Sequence, residues 1–365
     1  MKTQNLIFLF FLCLCTSCIQ DEPLSPYADI EAFALPSEIA LTDATINQTD
    51  ISIYVRKNLD LTSIVPNIKI SDGATIEPAI DTPRDFSGAV KYVVKAADGN
   101  HQREYTIRTI KSVQYEYKFE SWSLMGARFE TPIEYDDEGN TSTPWDSSNK
   151  GINIYQQFPS PEGYPVHKTT DASEGTYAAE IITQKGPGNI LGIINVPIAA
   201  GSLFTGVFNP LNALINPLLA TQFGQPFYDR PTRLTGSYKY KAGTGDYIAP
   251  DGNPIPGVKD SCSIFAVLFK SDQTLNRLDG TNVLKHPNIV ALAMLPPEAR
   301  AGSKGEDFVP FNIDFDYVEG HVIDFEKNDY KLSIVLSSSY YGDRYEGTVG
   351  SHLIVDDLKL ICEEE

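Results

Sequence analysis

Tyr228, Asp229, Arg230 and Arg233 lie within six residues, and Pro226 and Pro231 stiffen the segment into a turn. A phenol ring, a carboxylate and two guanidinium groups held this closely can stack on an apolar C–H face and pair with hydroxyls or a carboxylate. A second segment of the same kind, Tyr340-Tyr341-Gly342-Asp343-Arg344-Tyr345, supplies Tyr340 and Asp343 as candidates. Trp145 stands between the polar runs Asn140–Ser142 and Asp146–Ser148, which reads as a loop tryptophan that either recognises a ligand or covers the sandwich edge. Together these residue types suit carbohydrate, whose rings stack on aromatics while their hydroxyls need polar partners. Trp122, at the start of a strand, reads as core.

Three carboxylates carry a different chemistry. Glu120 precedes the first strands of the C-terminal part, and Asp356 and Asp357 lie on its last strand. If those strands are neighbours, hard carboxylate oxygens could share a structural calcium. The same groups could instead form the acid–base pair of a glycoside hydrolase, at a separation of roughly 5–9.5 Å, or stand as plain surface or hydrogen-bonded carboxylates. No G-x-S-x-G or H-E-x-x-H run occurs, which removes some enzyme classes but not glycosidases.

The elements that must position these residues follow an export signal. A basic start, an apolar run from Leu6 to Cys15 and Leu14-Cys15-Thr16-Ser17-Cys18 have the form of a lipobox, with residues 1–17 removed and Cys18 lipidated. The run is too short for a spanning helix of about 20 residues. Residues 18–28 form an acidic tether. Cys262 and Cys362 stand outside this segment; they could pair in an oxidising compartment, or remain thiols in their apolar runs. The formal charge of −19 argues against a nucleic-acid partner.

Short alternating runs separated by turn signals organise the rest as an all-β protein. Ile51-Ser52-Ile53-Tyr54-Val55, Ile68-Lys69-Ile70 and Val90–Val94 predict six or seven strands and a small sandwich over residues 29–111. A larger block, 112–365, starts without a flexible linker, which predicts a fixed angle between the two parts. In it, Leu234–Lys241 alternates, Cys262–Phe269 is apolar on both faces as a central strand is, and Phe311–Tyr317 and Leu332–Leu336 alternate again. Asn209-Pro210 before Leu211, Leu214, Ile215 and Leu218 predicts a short helix plugging one end of the sandwich. The apolar pairs Leu353/Val355 and Leu358/Leu360 are one residue out of phase, which predicts a β-bulge at Asp356-Asp357.

On Asp60–Pro66, Ile70–Pro78, Val90–Gly99 and Tyr105–Ile107, the first block resembles the bacterial Ig-like domains of Bacteroidetes lipoproteins, which act as spacers. The second resembles the carbohydrate metabolism domain (PCMD) family of Bacteroidetes. Phe119-Glu120-Ser121-Trp122, Thr143-Pro144-Trp145, Gly175–Ala179, Gly224–Phe227, Leu234–Tyr240, Asp260–Phe269 and Glu346–Ser351 carry that likeness. The resemblance implies a jelly-roll sandwich similar to carbohydrate-binding modules, on an outer-membrane lipoprotein exposed at the cell surface. Its implied partners are a polysaccharide or oligosaccharide, the outer-membrane lipid through Cys18, and surface glycan-uptake proteins. A glycoside hydrolase and a noncatalytic adhesin for protein partners are the alternatives.

Overall fold

The computed structural model describes residues 24–362 apart from 41–43, 56–58, 111–115, 127, 136–138, 140, 191, 193, 210–211, 213–215 and 303–305. The Cys18 lipidation site and the junction at 111–115 lie outside the described residues, as does most of the helix expected after Asn209. What is described there is Asn209 Oδ1 accepting from the Asn212 amide (3.5 Å), as an N-cap does, and a 3-10 turn at Pro217–Leu219.

The N-terminal part is a β-sandwich. Strands Ile30–Ala34 and Asn67–Ile70 form one layer. The other orders Thr45–Asn47, Asp50–Tyr54, Gln102–Ile110, Val90–Lys95 and Thr75–Glu77, with Asp50–Tyr54 and Gln102–Ile110 parallel. The alternation supplies the core: Ile51, Ile53, Val94, Tyr92 and Ile107 are sealed from solvent.

The C-terminal part is an all-β jelly roll of two main sheets. In the larger, Ser263–Ser271 lies between Asp329–Ser337 and Ile289–Met294, and Ser202–Phe208 pairs with the far side of Asp329–Ser337. In the smaller, His352–Cys362 lies between Ala178–Ile182 and Pro231–Lys241. Leu203, Ile264, Ile334 and Leu336 of one sheet meet Ile181, Leu353, Val355 and Leu358 of the other in a closed core. Ser263–Ser271 has no solvent-facing side because its other face is covered too, and this explains its unbroken apolar run.

The bulge is present. Thr235 pairs Lys359 and Ser237 pairs Asp356, so Gly236 faces one residue too many, and Asp357 takes up the excess in the left-handed region (φ 47°). Glycine at 236 is required by space, because a Cβ there would come within 2.8 Å of Leu358 and Phe311. The alternating run 311–317 turns out to cross between sheets. Val309–Asp314 pairs with Pro231–Lys241, and after Phe315 the pair Asp316–Tyr317 joins Ile289–Met294. Cys262 is a buried free thiol, so the pairing with Cys362 is not made; burial pushes that thiol up to about 12.

Candidate functional site

The outer face of the larger sheet carries a cavity of about 330 Å³. Its floor follows from register. Ser202, Ser337 and Ser263 stand side by side on three adjacent strands, and two residues along the same face come Phe204, Val335 and Phe265. A period of two places these rows about 6–7 Å apart, with the intervening Leu203, Leu336 and Ile264 in the sandwich core. Phe223 extends the apolar row, its ring 5.4 Å from that of Phe204 and nearly perpendicular to it.

The walls are built on separate elements. Helix Asn149–Tyr155 brings Ile152 and Tyr155, and the hairpin of Gln184–Ile190 and Ile194–Ala199 brings Ile190, Ile194 and Val196. Beside the serine row, the segment Tyr340–Tyr345 turns through a short 3-10 helix. Gly342 lets that turn press against the hairpin's end, where a Cβ would lie 2.3 Å from the Ala200 Cβ.

One buried carboxylate holds this loop at both ends. Asp260 Oδ2 accepts hydrogen bonds from Ser339 Oγ (2.6 Å), Ser351 Oγ (2.7 Å) and the Thr348 amide (2.8 Å), and Oδ1 from the Ser261 amide (2.8 Å). Burial raises the pKa of Asp260, and these four donors oppose the rise. The loop aromatics are fixed as well. Arg300 lies 4.4 Å over the Tyr340 ring, Tyr340 meets Tyr341 edge-on at 4.8 Å, and Arg344 lies 5.1 Å over the Tyr341 ring.

Burial lifts the Tyr345 phenol to about 12 and raises that of Tyr155, so both remain hydrogen-bond donors near neutrality. Asp343 and Arg344 are exposed at the rim, where partial desolvation raises the Asp343 carboxyl and the Arg344 guanidinium opposes the rise. The site therefore offers aromatic rings, neutral hydroxyl donors, one carboxyl and one guanidinium at one end of an apolar trough.

Of the residues expected from sequence, Tyr340 and Asp343 line this cavity. The Tyr228–Arg233 segment lies elsewhere. Phe227 pairs with Tyr330 whereas the serine row includes Ser337, so the two places are roughly 23 Å apart along one strand at about 3.3 Å per residue. There, the Arg230 guanidinium lies 4.5 Å over the Tyr317 ring and Arg233 Nε bonds Asp314 at 2.8 Å. Tyr228 and Asp229 are half-buried beside them.

Trp145 corrects the loop reading. It belongs to strand Trp145–Ser147, is 3% exposed, packs on Tyr117 and Phe119, and donates from Nε1 to Glu134 Oε1 at 3.0 Å. Its ring faces the core, and the expected groove of Trp145, Asp229 and Arg230 is not formed. Trp122, partly buried, packs against the same core and donates to Phe119 O (2.6 Å).

The Glu120, Asp356 and Asp357 carboxylates bind protein groups. Glu120 Oε1 accepts from the Thr176 (2.9 Å) and Tyr177 (3.4 Å) amides. Asp356 Oδ2 accepts from Ser173 N (2.7 Å), Ser173 Oγ (2.9 Å) and Glu174 N (3.0 Å), and Asp357 pairs with Lys359 at 2.9 Å. Glu120 and Asp356 thus clamp one loop, 173–177. Among the described residues no group of three or more His, Cys, Asp or Glu side chains is gathered as a metal site.

Sequence reasoning passed over Tyr155 and the serine–phenylalanine rows. The signal for the rows was the serine spaced two residues from Phe or Val in Ser202–Phe204, Ser263–Phe265 and Val335–Ser337.

Residues 118–361 match the family model described as "Putative carbohydrate metabolism domain", and residues 30–109 match the model "SGBP, N-terminal". A crystal structure from Bacteroides thetaiotaomicron described as a putative glycoside hydrolase is 33% identical with a TM-score of 0.80, covering 95% of this chain and 100% of its own. A second so described, from Bacteroides vulgatus, is 32% identical with a TM-score of 0.62, covering 70% of this chain and 100% of its own. No curated protein matches the chain.

Proposed function

Because this chain belongs to the carbohydrate metabolism domain family, we propose that its jelly roll binds an oligosaccharide or polysaccharide noncatalytically, in the cavity under the Tyr340–Tyr345 loop. The observation that carries this reading is the cavity's polar end. Four tyrosines (Tyr155, Tyr340, Tyr341 and Tyr345), Asp343 and Arg344 line one wall region over the row of serines, giving rings to stack on and groups to bond hydroxyls. The N-terminal sandwich serves as the spacer. Its match to the N-terminal model of SGBP, a surface glycan-binding protein, supports a place on the cell surface with Cys18 as lipid anchor and glycan-uptake proteins as neighbours.

A glycoside hydrolase is the second reading, favoured by the two Bacteroides relatives described as putative glycoside hydrolases and by a carboxylate, Asp343, in the cavity wall. The two-carboxylate mechanism needs a partner for it, and Asp343 is the sole carboxylate among the described residues lining the cavity. Binding without turnover is the simpler use of the site.

A glycan array followed by product analysis tests both. Retention of a defined glycan, recovered unchanged after long incubation, is expected. Cleavage that Asp343→Asn abolishes would favour the hydrolase, and no retention of any glycan by folded protein would remove the carbohydrate reading. Protease shaving of intact cells checks the location: release is expected for a surface lipoprotein, and protection would place it inside.

A further inference from the structure

We propose that the ligand of this cavity is a glycoconjugate whose saccharide carries an apolar aryl or alkyl group; the proposal rests on the carbohydrate reading above and specifies its ligand class. The floor changes character within one pleat. The serine row lies against the Tyr340–Tyr345 loop, and the next row is Phe204, Val335 and Phe265. Beyond it the trough continues as Phe223, Leu218, Val283 and Leu284, because Phe223 pairs with Leu278 and the Gly280 amide bonds Leu218 O (2.8 Å).

A bare sugar filling that stretch would set its hydroxyls against carbon and lose their hydrogen bonds to water without replacement. An apolar substituent would instead exchange water for the phenylalanine and leucine surfaces. The cavity volume of about 330 Å³ accommodates more than one ring, within the roughly 300–1,000 Å³ of small-molecule sites. The split between hydroxyl-bonding and apolar ends therefore matches a two-part ligand, with the saccharide under the tyrosines and the substituent on the Phe204–Phe223 side.

The test compares the methyl and para-nitrophenyl glycosides of the saccharide retained best on the array, with para-nitrophenol alone as the third ligand, by calorimetric titration of the whole protein. The expected result is a para-nitrophenyl glycoside at least about tenfold tighter than the methyl glycoside, with para-nitrophenol far weaker than either. Leu284→Ser, at a residue 44% exposed and so tolerant of change, should remove about threefold of that advantage and leave the methyl glycoside unaffected. Equal affinity for methyl and para-nitrophenyl glycosides would overturn the two-part ligand while leaving carbohydrate binding intact. Para-nitrophenol binding as tightly as its glycosides would overturn it as well, and no binding by any glycoside would sink the carbohydrate reading along with it.

Discussion

At the scale of single residues, position in the sheet decides what an aromatic side chain can do. Trp145 and Tyr341 illustrate the two outcomes. Trp145 fills the core between Tyr117 and Phe119 and gives its only donor to Glu134, so Trp145→Ala should destabilise the protein by about 3–5 kcal/mol in chemical denaturation. A loss of glycan affinity with unchanged stability would contradict this placement. Tyr341 is 42% exposed, meeting Tyr340 edge-on with Arg344 over its ring, so Tyr341→Ala should fold normally. It should weaken glycan binding about tenfold in titration, as removal of an aromatic contact commonly does; unchanged affinity would place the ligand away from this loop.

At the scale of elements, three carboxylates act as staples for two loops. Asp356 and Glu120 fix 173–177, and Asp260 fixes the chain between Ser339 and Ser351. Asp260→Ala would strand two hydroxyls and two amides, so amide hydrogen exchange across 340–350 should accelerate and glycan affinity fall together. Exchange in that segment no faster than in the parent would show that the loop is held by other means.

The elements were legible in sequence where one face is buried. Leu234–Lys241 alternates because Tyr238 and Tyr240 point into the core, and the phase slip at Asp356-Asp357 announced the bulge. The site was less legible for a physical reason. Asp146, Ser147 and Asn149 look like loop residues flanking Trp145, yet they are buried: Asp146 Oδ2 takes the Phe208 amide and Lys150 Nζ, and Asn149 bonds the Val166 backbone. Polar residues with complete internal partners are indistinguishable in sequence from solvated ones. The cavity floor was hidden for a related reason, since Ser263–Ser271 is covered on both faces and its pattern does not say which face is hollow.

At the scale of the whole molecule, buried ionisable groups set a pH optimum. Burial lifts Glu134 to about 8, with the Trp145 hydrogen bond opposing; from an ordinary value of 4.5, its contribution to stability is complete below that value and lost as pH rises toward 8. Burial works against charge on His167, but its bond and charge pairing with Glu180, the Tyr164 carbonyl and the charge of Glu162 together outweigh this and raise its pKa. That contribution is present below about 6.5 and lost as pH climbs through the folded value.

Glu180 acts at the other limit. Burial would raise it, yet His167 at 2.8 Å and His352 at 2.6 Å hold it at about 2, so its contribution stands above 4.5 and disappears as pH falls toward 2. A formal charge of −19 adds self-repulsion at higher pH. Thermal unfolding should therefore show greatest stability near about pH 5 and a decline toward pH 8 that Glu134→Gln flattens. Stability rising steadily to pH 8 would show that these groups are not held as described.

The central claim is that saccharide sits on the serine row under the tyrosine loop, and a crystal soaked with the best-retained oligosaccharide examines it most directly. Density for a sugar ring between Tyr155 and the Tyr340–Tyr345 segment is the predicted result. A sugar ordered instead against Tyr228–Arg233, with the cavity on the larger sheet left to solvent, would contradict the account.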